Sequence, residues 1–291
     1  MVITYVILHY MAFRDTIECA DSILNSTCDS EHKTRIVIVD NGSTNDSYNI
    51  LTEKYLNNDI VSVLHSESNL GFARGNNLGF VFAKKTYNSD FIVLLNNDTL
   101  ISQSNINELI VKKYKENGYY VLGPDIVTID GYHQNPISDR EWSKSKLICE
   151  RIKKRVRILL YLLHLEKIAI TLQKNKKDYL RIEAEKQDIK DIMLHGACMI
   201  FSKPYIDIFD GLDDRTFLYM EEDILHLYAK KYEFLMMYTS EIRILHKEDV
   251  STNMSISNTR EKEIFYCKNI INSSKVYERV KRELTDEKKC I

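Results

Sequence analysis

IVIVDNGSTND, residues 36–46, decides the fold class. Four apolar residues, two of them Ile and two Val, run without a polar interruption, as in a strand buried on both faces of a parallel sheet. The run stops at Asp40 and Asn41. Gly42 permits a tight turn, and Thr44 and Asn45 are suited to cap a following helix. The stretch reads as strand, turn and helix start, with Asp40 delivered to the end of a strand. The same pattern recurs on both sides of it. Val2–His9 and residues 35–39, 60–64 and 91–95 read as strands, and 15–26, 45–57 and 74–85 as helices between them. Strands alternating with helices predict βαβ units and an α/β fold with a mostly parallel central sheet flanked by helices. Ligands of such sheets bind at the carboxyl ends of the strands.

The second half is less regular. Residues 120–124 and 126–129 read as short strands, 144–177 as a basic helix and 192–201 as a further strand. Glu221–Tyr232 reads as a helix, 234–245 as extended chain and 260–287 as a polar C-terminal helix that packs on the core or on a partner.

Composition narrows the function classes. The net charge is −2 over 291 residues, which gives no electrostatic case for nucleic acid. The charge is uneven. Between Lys144 and Lys177 stand eleven Lys or Arg against Glu150 and Glu166, a local +9 that leaves −11 for the remainder. In that segment Ile148, Ile152, Val156, Leu159, Leu160 and Leu163 recur at helical spacing. Two readings stay open: a basic amphipathic helix lying on an anionic membrane, or an insertion packed on the core with a solvated basic face. The six cysteines (Cys19, Cys28, Cys149, Cys198, Cys267 and Cys290) show no paired or metal-type spacing. Reduced thiols in a cytoplasmic protein are expected. Met1 leads straight into VITYVILHY, with no basic leader and no run long enough for a membrane span.

Three further stretches carry chemistry. NLGFARGNNLGF, residues 69–80, gathers three glycines around Arg74, Asn76 and Asn77 ahead of a helix. Such a turn admits close backbone approach to an anion, with Arg74 to neutralise a diphosphate or hold a pyrimidine carbonyl. It matches neither the dinucleotide-binding fingerprint nor the phosphate-binding loop ending in GK[ST]. FIVLLNNDT, residues 91–99, ends an apolar strand in Asn96, Asn97 and Asp98. A carboxylate there suits Mg²⁺ or Mn²⁺ when substrate phosphates complete the coordination. FLYMEEDIL, residues 217–225, opens a helix with Glu221, Glu222 and Asp223. These acids stabilise the helix dipole, and a rigidly held one can act as general base towards a hydroxyl. His195 and Gly196 sit in the apolar run DIMLHGACMIF, and His246 ends the last extended segment.

In this order the motifs resemble the family-2 glycosyltransferases of the GT-A fold, notably bacterial members that build capsule, O-antigen or cell-wall polysaccharide, including a rhamnosyltransferase-like group. The likeness spans roughly residues 1–250, with 144–190 as a basic helical insertion and 251–291 as a C-terminal helical extension. It implies an inverting transfer from a UDP-hexose or dTDP-rhamnose donor to a glycan or lipid-linked acceptor, assisted by Mn²⁺ or Mg²⁺. It implies nucleotide binding by Tyr10, Asp40, Asn41, Ser43, Arg74 and Asn97, and metal or diphosphate contacts by Asp98 and His246. His195, Gly196 and Glu221 would border the acceptor. Asp223, or Glu222 with a shift of one position, would be the base. Two departures stand out: Asn96 replaces the usual first acid of the metal motif, and EEDIL replaces the commoner EDxDL. The first leaves open a catalytically silent sugar-nucleotide-binding subunit. A nucleotidyltransferase would want a glycine-rich loop after the first strand, and VILHYMAFRD has none.

Overall fold

A computed structural model describes residues 1–137, 141–171, 183–248 and 259–286. The elements run β1 (Val2–His9), α1 (Phe13–Ser26), β2 (Lys33–Asp40), α2 (Ser47–Tyr55), β3 (Val61–His65), α3 (Phe72–Tyr87), β4 (Phe91–Asn96), β5 (Thr99–Ile101) and α4 (Ile106–Asn117). They continue with β6 (Val121–Thr128), α5 (Lys144–Leu162), α6 (Glu166–Thr171), β7 (Ile189–Lys190), β8 (Cys198–Ser202), α7 (Lys203–Ile208), α8 (Glu221–Tyr232), β9 (Met236–His246) and α9 (Thr259–Asp286).

Among the described residues the strands form one sheet in the order β3-β2-β1-β4-β8-β6-β9-β5, with β7 added on β9. The three pairings among β3, β2, β1 and β4 are parallel, as the βαβ pattern demands. Beyond β4 the sheet becomes mixed. β8 runs antiparallel to β4 and β6, β9 runs parallel to β6, and β5 and β7 run antiparallel to β9. Side chains of β1, β2 and β4 alternate between two apolar layers. Ile3, Tyr5, Ile7 and Ile36 pack beneath α1, and Val6, Val37, Val39 and Leu94 pack with Phe80 of α3.

Helix α3 lies close on the sheet because Gly75 and Gly79 present no side chain. A Cβ at Gly79 would collide with Val6 and Val39, and one at Gly75 with Leu8. Of the three glycines read as a ligand turn, these two are spent on helix–sheet packing. Only Gly71, at φ +83° before the first turn, shapes the loop.

The sequence reading differs from the structure in instructive places. Residues 120–124 and 126–129 form one strand, β6, whose register with β9 shifts between Pro124 and Asp125. Pro124 has no N–H to donate, so the ladder slips there without ending. Of the strand expected over 192–201 only Cys198–Ser202 forms, because 195–197 turn along the edge of a cavity. The basic helix divides into α5 and α6, and residues 172–177 of it lie outside the described residues. So do the expected domain boundary at 250/251, Glu287 and Cys290. The five described cysteines are free thiols. No described helix is long and apolar enough to cross a membrane.

The C-terminal helix packs on the protein itself. Tyr277, Val280 and Leu284 of α9 form a third apolar cluster with Leu147 of α5 and Ile224 and Leu227 of α8. Above this cluster the α5–α9 contact is ionic: Arg151 pairs with Glu278 at 2.7 Å and Arg157 with Glu263 at 2.6 Å. The aliphatic residues at helical spacing, Ile148, Ile152, Val156 and Leu159, point to solvent at 41–54% exposure. Packing of that apolar stripe on the core is therefore not observed.

Candidate active site

The carboxyl ends of β1, β2 and β4, the turn before β8, the start of α8 and the end of β9 open into one cavity of about 640 Å³. This is the strand edge at which an α/β sheet binds ligands.

One wall is built around Asn41. Its Nδ2 donates to Gly71 O (3.1 Å) and to Asn69 Oδ1 (3.2 Å), and its Oδ1 accepts from Leu70 N (3.0 Å). A single amide thus pins the glycine loop to the end of β2, and Tyr10, Asn69 and Phe72 line the surface so formed. Three expected nucleotide contacts, Asp40, Ser43 and Arg74, lie elsewhere. Asp40 is fully buried and accepts from His65 Nδ1 (2.8 Å) and Ser43 N (3.2 Å), so it holds the turn and does not face the cavity. Ser43 Oγ in turn accepts from Met11 N (2.8 Å), tying the β1 loop to the β2 loop. Arg74 is exposed and bonds Asp214 O through Nε (2.9 Å). It stands two positions beyond Phe72, about 200° around the helix, so when Phe72 faces the cavity Arg74 faces away.

A second wall carries Asn96, Asn97, Asp98, His246, Gln134 and Glu248. Asn97 is turned inward, its Nδ2 donating to Thr16 Oγ1 (3.1 Å). Asp98 Oδ1 stands 3.2 Å from His246 Nε2, with both side chains 8% exposed. His246 Nδ1 faces Gln134 Oε1 at 2.7 Å, and Gln134 Nε2 donates to Glu248 Oε1 at 2.6 Å. That chain fixes the amide: its oxygen accepts from His246 Nδ1–H. Nε2 is thereby held on the side of the Asp98 carboxylate.

Two donor atoms 3.2 Å apart match adjacent ligands of a Mg²⁺- or Mn²⁺-sized cation, which lie about 3 Å apart when each bond is about 2.1 Å. Among the described residues no three His, Cys, Asp or Glu side chains converge as a metal group. Asp98 and His246 therefore fit such a metal only as a pair, with diphosphate oxygens and water completing the shell.

The third wall is the approach to α8. Tyr219 and Met220 both take positive φ, 72° and 69°, a conformation that costs non-glycine residues energy. The surroundings hold it in place. Phe72 N donates to Phe217 O (2.7 Å), and Ser273 of α9 donates to Leu218 O (2.8 Å). The three acids then diverge. Glu221 Oε1 accepts from Thr216 Oγ1 (2.8 Å). Asp223 turns away and accepts from Trp142 Nε1 (2.7 Å), and it does not line the cavity. Glu222 does line it, with its carboxylate packed over Gly196. Burial, reinforced by Glu221 and Asp223, raises the Glu222 carboxyl well above the usual carboxylate range. Burial also raises Glu221 and Asp223.

His195 lies between the second and third walls. Its ring is 6.0 Å from that of His246, and Gly196 beside it touches Glu222. Asn135 Oδ1 accepts from His195 N (2.9 Å), and Ala197 N donates to His195 Nδ1 (3.2 Å). Burial and the neighbouring His246 lower its pKa to about 4. At neutral pH it is an uncharged ring with Nε2–H as donor.

The sequence pattern of glycosyl transferase family 2 matches residues 4–208, which covers β1 through α7 and more than half of the chain. The chain belongs to glycosyl transferase family 2. Glycosyltransferase GlyG of Streptococcus pneumoniae serotype 4 is 27% identical over 121 residues, 42% of this chain and 38% of that protein. Low-salt glycan biosynthesis hexosyltransferase Agl10 of Haloferax volcanii is 22% identical over 187 residues, 64% of this chain and 50% of that one. The chain thus aligns with half or less of each curated relative. Among solved structures, residues 1–349 of S. aureus TarS superpose with a TM-score of 0.53 at 14% identity, covering 93% of this chain and 69% of that one. This likeness concerns the fold. Members of family 2 commonly use a divalent metal. Glu222 and His246 lie beyond the matched segment, so their assignment rests on geometry.

Of the expected site residues, the cavity gathers Tyr10, Asn41, Asn97, Asp98, His195, Gly196, Glu221, Glu222 and His246. It leaves out Asp40, Ser43, Arg74 and Asp223. Gln134, Asn135, Glu248 and Trp142 were not singled out from the sequence. Each acts across at least 60 residues of chain or from an irregular segment, where no periodic signal exists.

Proposed function

We propose that this family-2 protein is an inverting glycosyltransferase. It moves a sugar from a nucleoside-diphosphate sugar, a UDP-hexose or dTDP-rhamnose, to a hydroxyl of a glycan or lipid-linked acceptor in surface polysaccharide synthesis. It works in the cytoplasm, at the inner membrane face when the acceptor is lipid-linked. The observation that carries the reading is the placement of two chemistries in one cavity. Asp98 and His246 bring two metal-type donor atoms together, Glu222 is a buried carboxylate, and His195 and Gly196 stand between them.

The nucleotide lies along the Tyr10, Asn41 and Phe72 wall. Mn²⁺ or Mg²⁺ held by Asp98 and His246 would offset negative charge on the departing diphosphate. Glu222 as carboxylate takes the proton of the acceptor hydroxyl. Its raised pKa makes it a stronger base than an exposed carboxylate, at the cost of needing a higher pH to be ionised. The acceptor oxygen bonds the anomeric carbon as the bond to the diphosphate oxygen breaks on the opposite face, which inverts the configuration. Neutral His195 supplies a hydrogen bond to sugar or acceptor without adding charge. Phe217 and Phe265, in edge contact at 6.3 Å, offer an apolar flank to the acceptor.

Thermal stability against UDP, dTDP, GDP and NAD, each with and without Mn²⁺, tests the donor side. A ligand at 100 times its Kd stabilises by about 2.7 kcal/mol, a shift of several degrees. A Mn²⁺-dependent shift with UDP or dTDP alone is expected. No shift with any of them would contradict the reading.

A further inference from the structure

Among the described residues, nine of the eighteen exposed large hydrophobics fall between Ile148 and Ile170, so α5 and α6 carry a patch and not scattered exposure. On α5, Ile148, Ile152, Val156, Leu159 and Leu163 lie within about 80° of one another around the helix axis, a ridge about 23 Å long. Leu165, Ile168 and Ile170 extend it along α6. The opposite face meets the protein through buried Leu147 and Tyr161 and through three cations. Lys154 is buried with Nζ 4.4 Å from the Tyr266 ring, and Arg151 and Arg157 pair with α9. Helix α5 therefore buries a narrow face of Leu147, Lys154 and Tyr161 and leaves its longer aliphatic row in solvent, where a helix packed on a core would bury it.

The ridge is flanked by cations. Lys144 and Arg155 border it on one side and Lys146 and Lys153 on the other, all exposed. An apolar ridge between two basic rows fits a surface that is apolar inside and anionic at its rim. Two copies meeting ridge to ridge would instead bring these like charges together. We propose that α5 and α6 dock the protein on an anionic phospholipid bilayer, with the ridge sunk to the headgroup–acyl boundary and the flanking cations on lipid phosphates. One layer of α9 separates the docking helix from the cavity. Tyr266, which covers Lys154, packs edge-on against Tyr219 at 5.1 Å, and Tyr219 and Phe265 line the cavity wall. A docked molecule holds that wall near the lipid surface.

Flotation of the full chain with phosphatidylcholine vesicles, with and without about 30 mol % phosphatidylglycerol, tests this without donor or acceptor, so it is independent of glycosyl transfer. Flotation with the anionic vesicles, weakened by high salt, is expected. Ile152→Asp with Leu159→Asp should lower partitioning at least about 10-fold, and Lys153→Glu with Arg155→Glu by a similar factor, with Tm unchanged because all four residues are exposed. Failure of the wild type to float overturns the proposal, as does flotation untouched by the paired substitutions. A dimer in sedimentation that Ile152→Asp and Leu159→Asp dissolve would make the ridge a self-association face. A collapse in Tm would make it a packed one.

Discussion

Gly196→Ala is the substitution whose effect follows most directly from the geometry. Gly196 is not at positive φ, so alanine meets no backbone strain there. Space is what it lacks: the new Cβ would overlap Glu222 Oε1 and crowd Cδ at 3.0 Å. Restoring van der Waals separation moves the carboxylate by about 1 Å. A displacement of that size at a reacting group costs about 10²-fold in rate, and overpacking costs about 1–3 kcal/mol of stability. Nucleotide release from the donor should show kcat down about 100-fold with the donor KM unchanged. The effect should vanish in a Glu222→Gln background, because both changes act through one carboxylate. A Gly196→Ala protein that turns over normally would refute the reasoning, as would an equal loss on top of Glu222→Gln.

Three further outcomes are expected. Glu222 has its folded pKa raised above the unfolded value, so the stability it contributes is complete below the unfolded pKa and is lost as pH rises through the folded one. Glu222→Gln should thus melt a few degrees above wild type at pH 8 and level with it near pH 4, and a constant offset across pH would contradict the burial argument. Asp98→Ala and His246→Ala should each abolish the Mn²⁺-dependent part of nucleotide binding measured by calorimetry and leave the metal-free part unchanged; full Mn²⁺ dependence in either would remove that residue from the site. Trp142→Phe strips the buried Asp223 carboxylate of its indole donor and should cost about 1–3 kcal/mol in denaturant melts, and an unchanged midpoint would show that Asp223 finds another partner.

The parallel half of the fold is legible in the sequence because its strands are apolar on both faces and end at polar turns, as 36–46 and 91–99 do. The cavity's position follows from that, as do Asn41, Asp98 and His195. What is not legible turns on angle and on distant partners. Glu221, Glu222 and Asp223 all occupy the first turn of α8, and consecutive residues differ by about 100° in direction. Only the opposing Thr216, Gly196 and Trp142 sort them, and no local pattern announces a partner 81 residues away, as Trp142 is from Asp223. Asp40 matches a ligand-facing strand end in sequence, yet His65 at the end of the neighbouring strand claims its carboxylate. The stripe on α5 shows its period plainly, but periodicity does not tell which way the stripe faces.

The most direct test compares Glu222→Gln with Asp223→Asn in nucleotide release from the preferred UDP- or dTDP-sugar, with nucleotide affinity measured on the same preparations. Glu222→Gln should lose about 10²–10⁴-fold in kcat at unchanged nucleotide affinity, while Asp223→Asn should turn over within about 10-fold of wild type. The reverse order would contradict the assignment of Glu222 as the base.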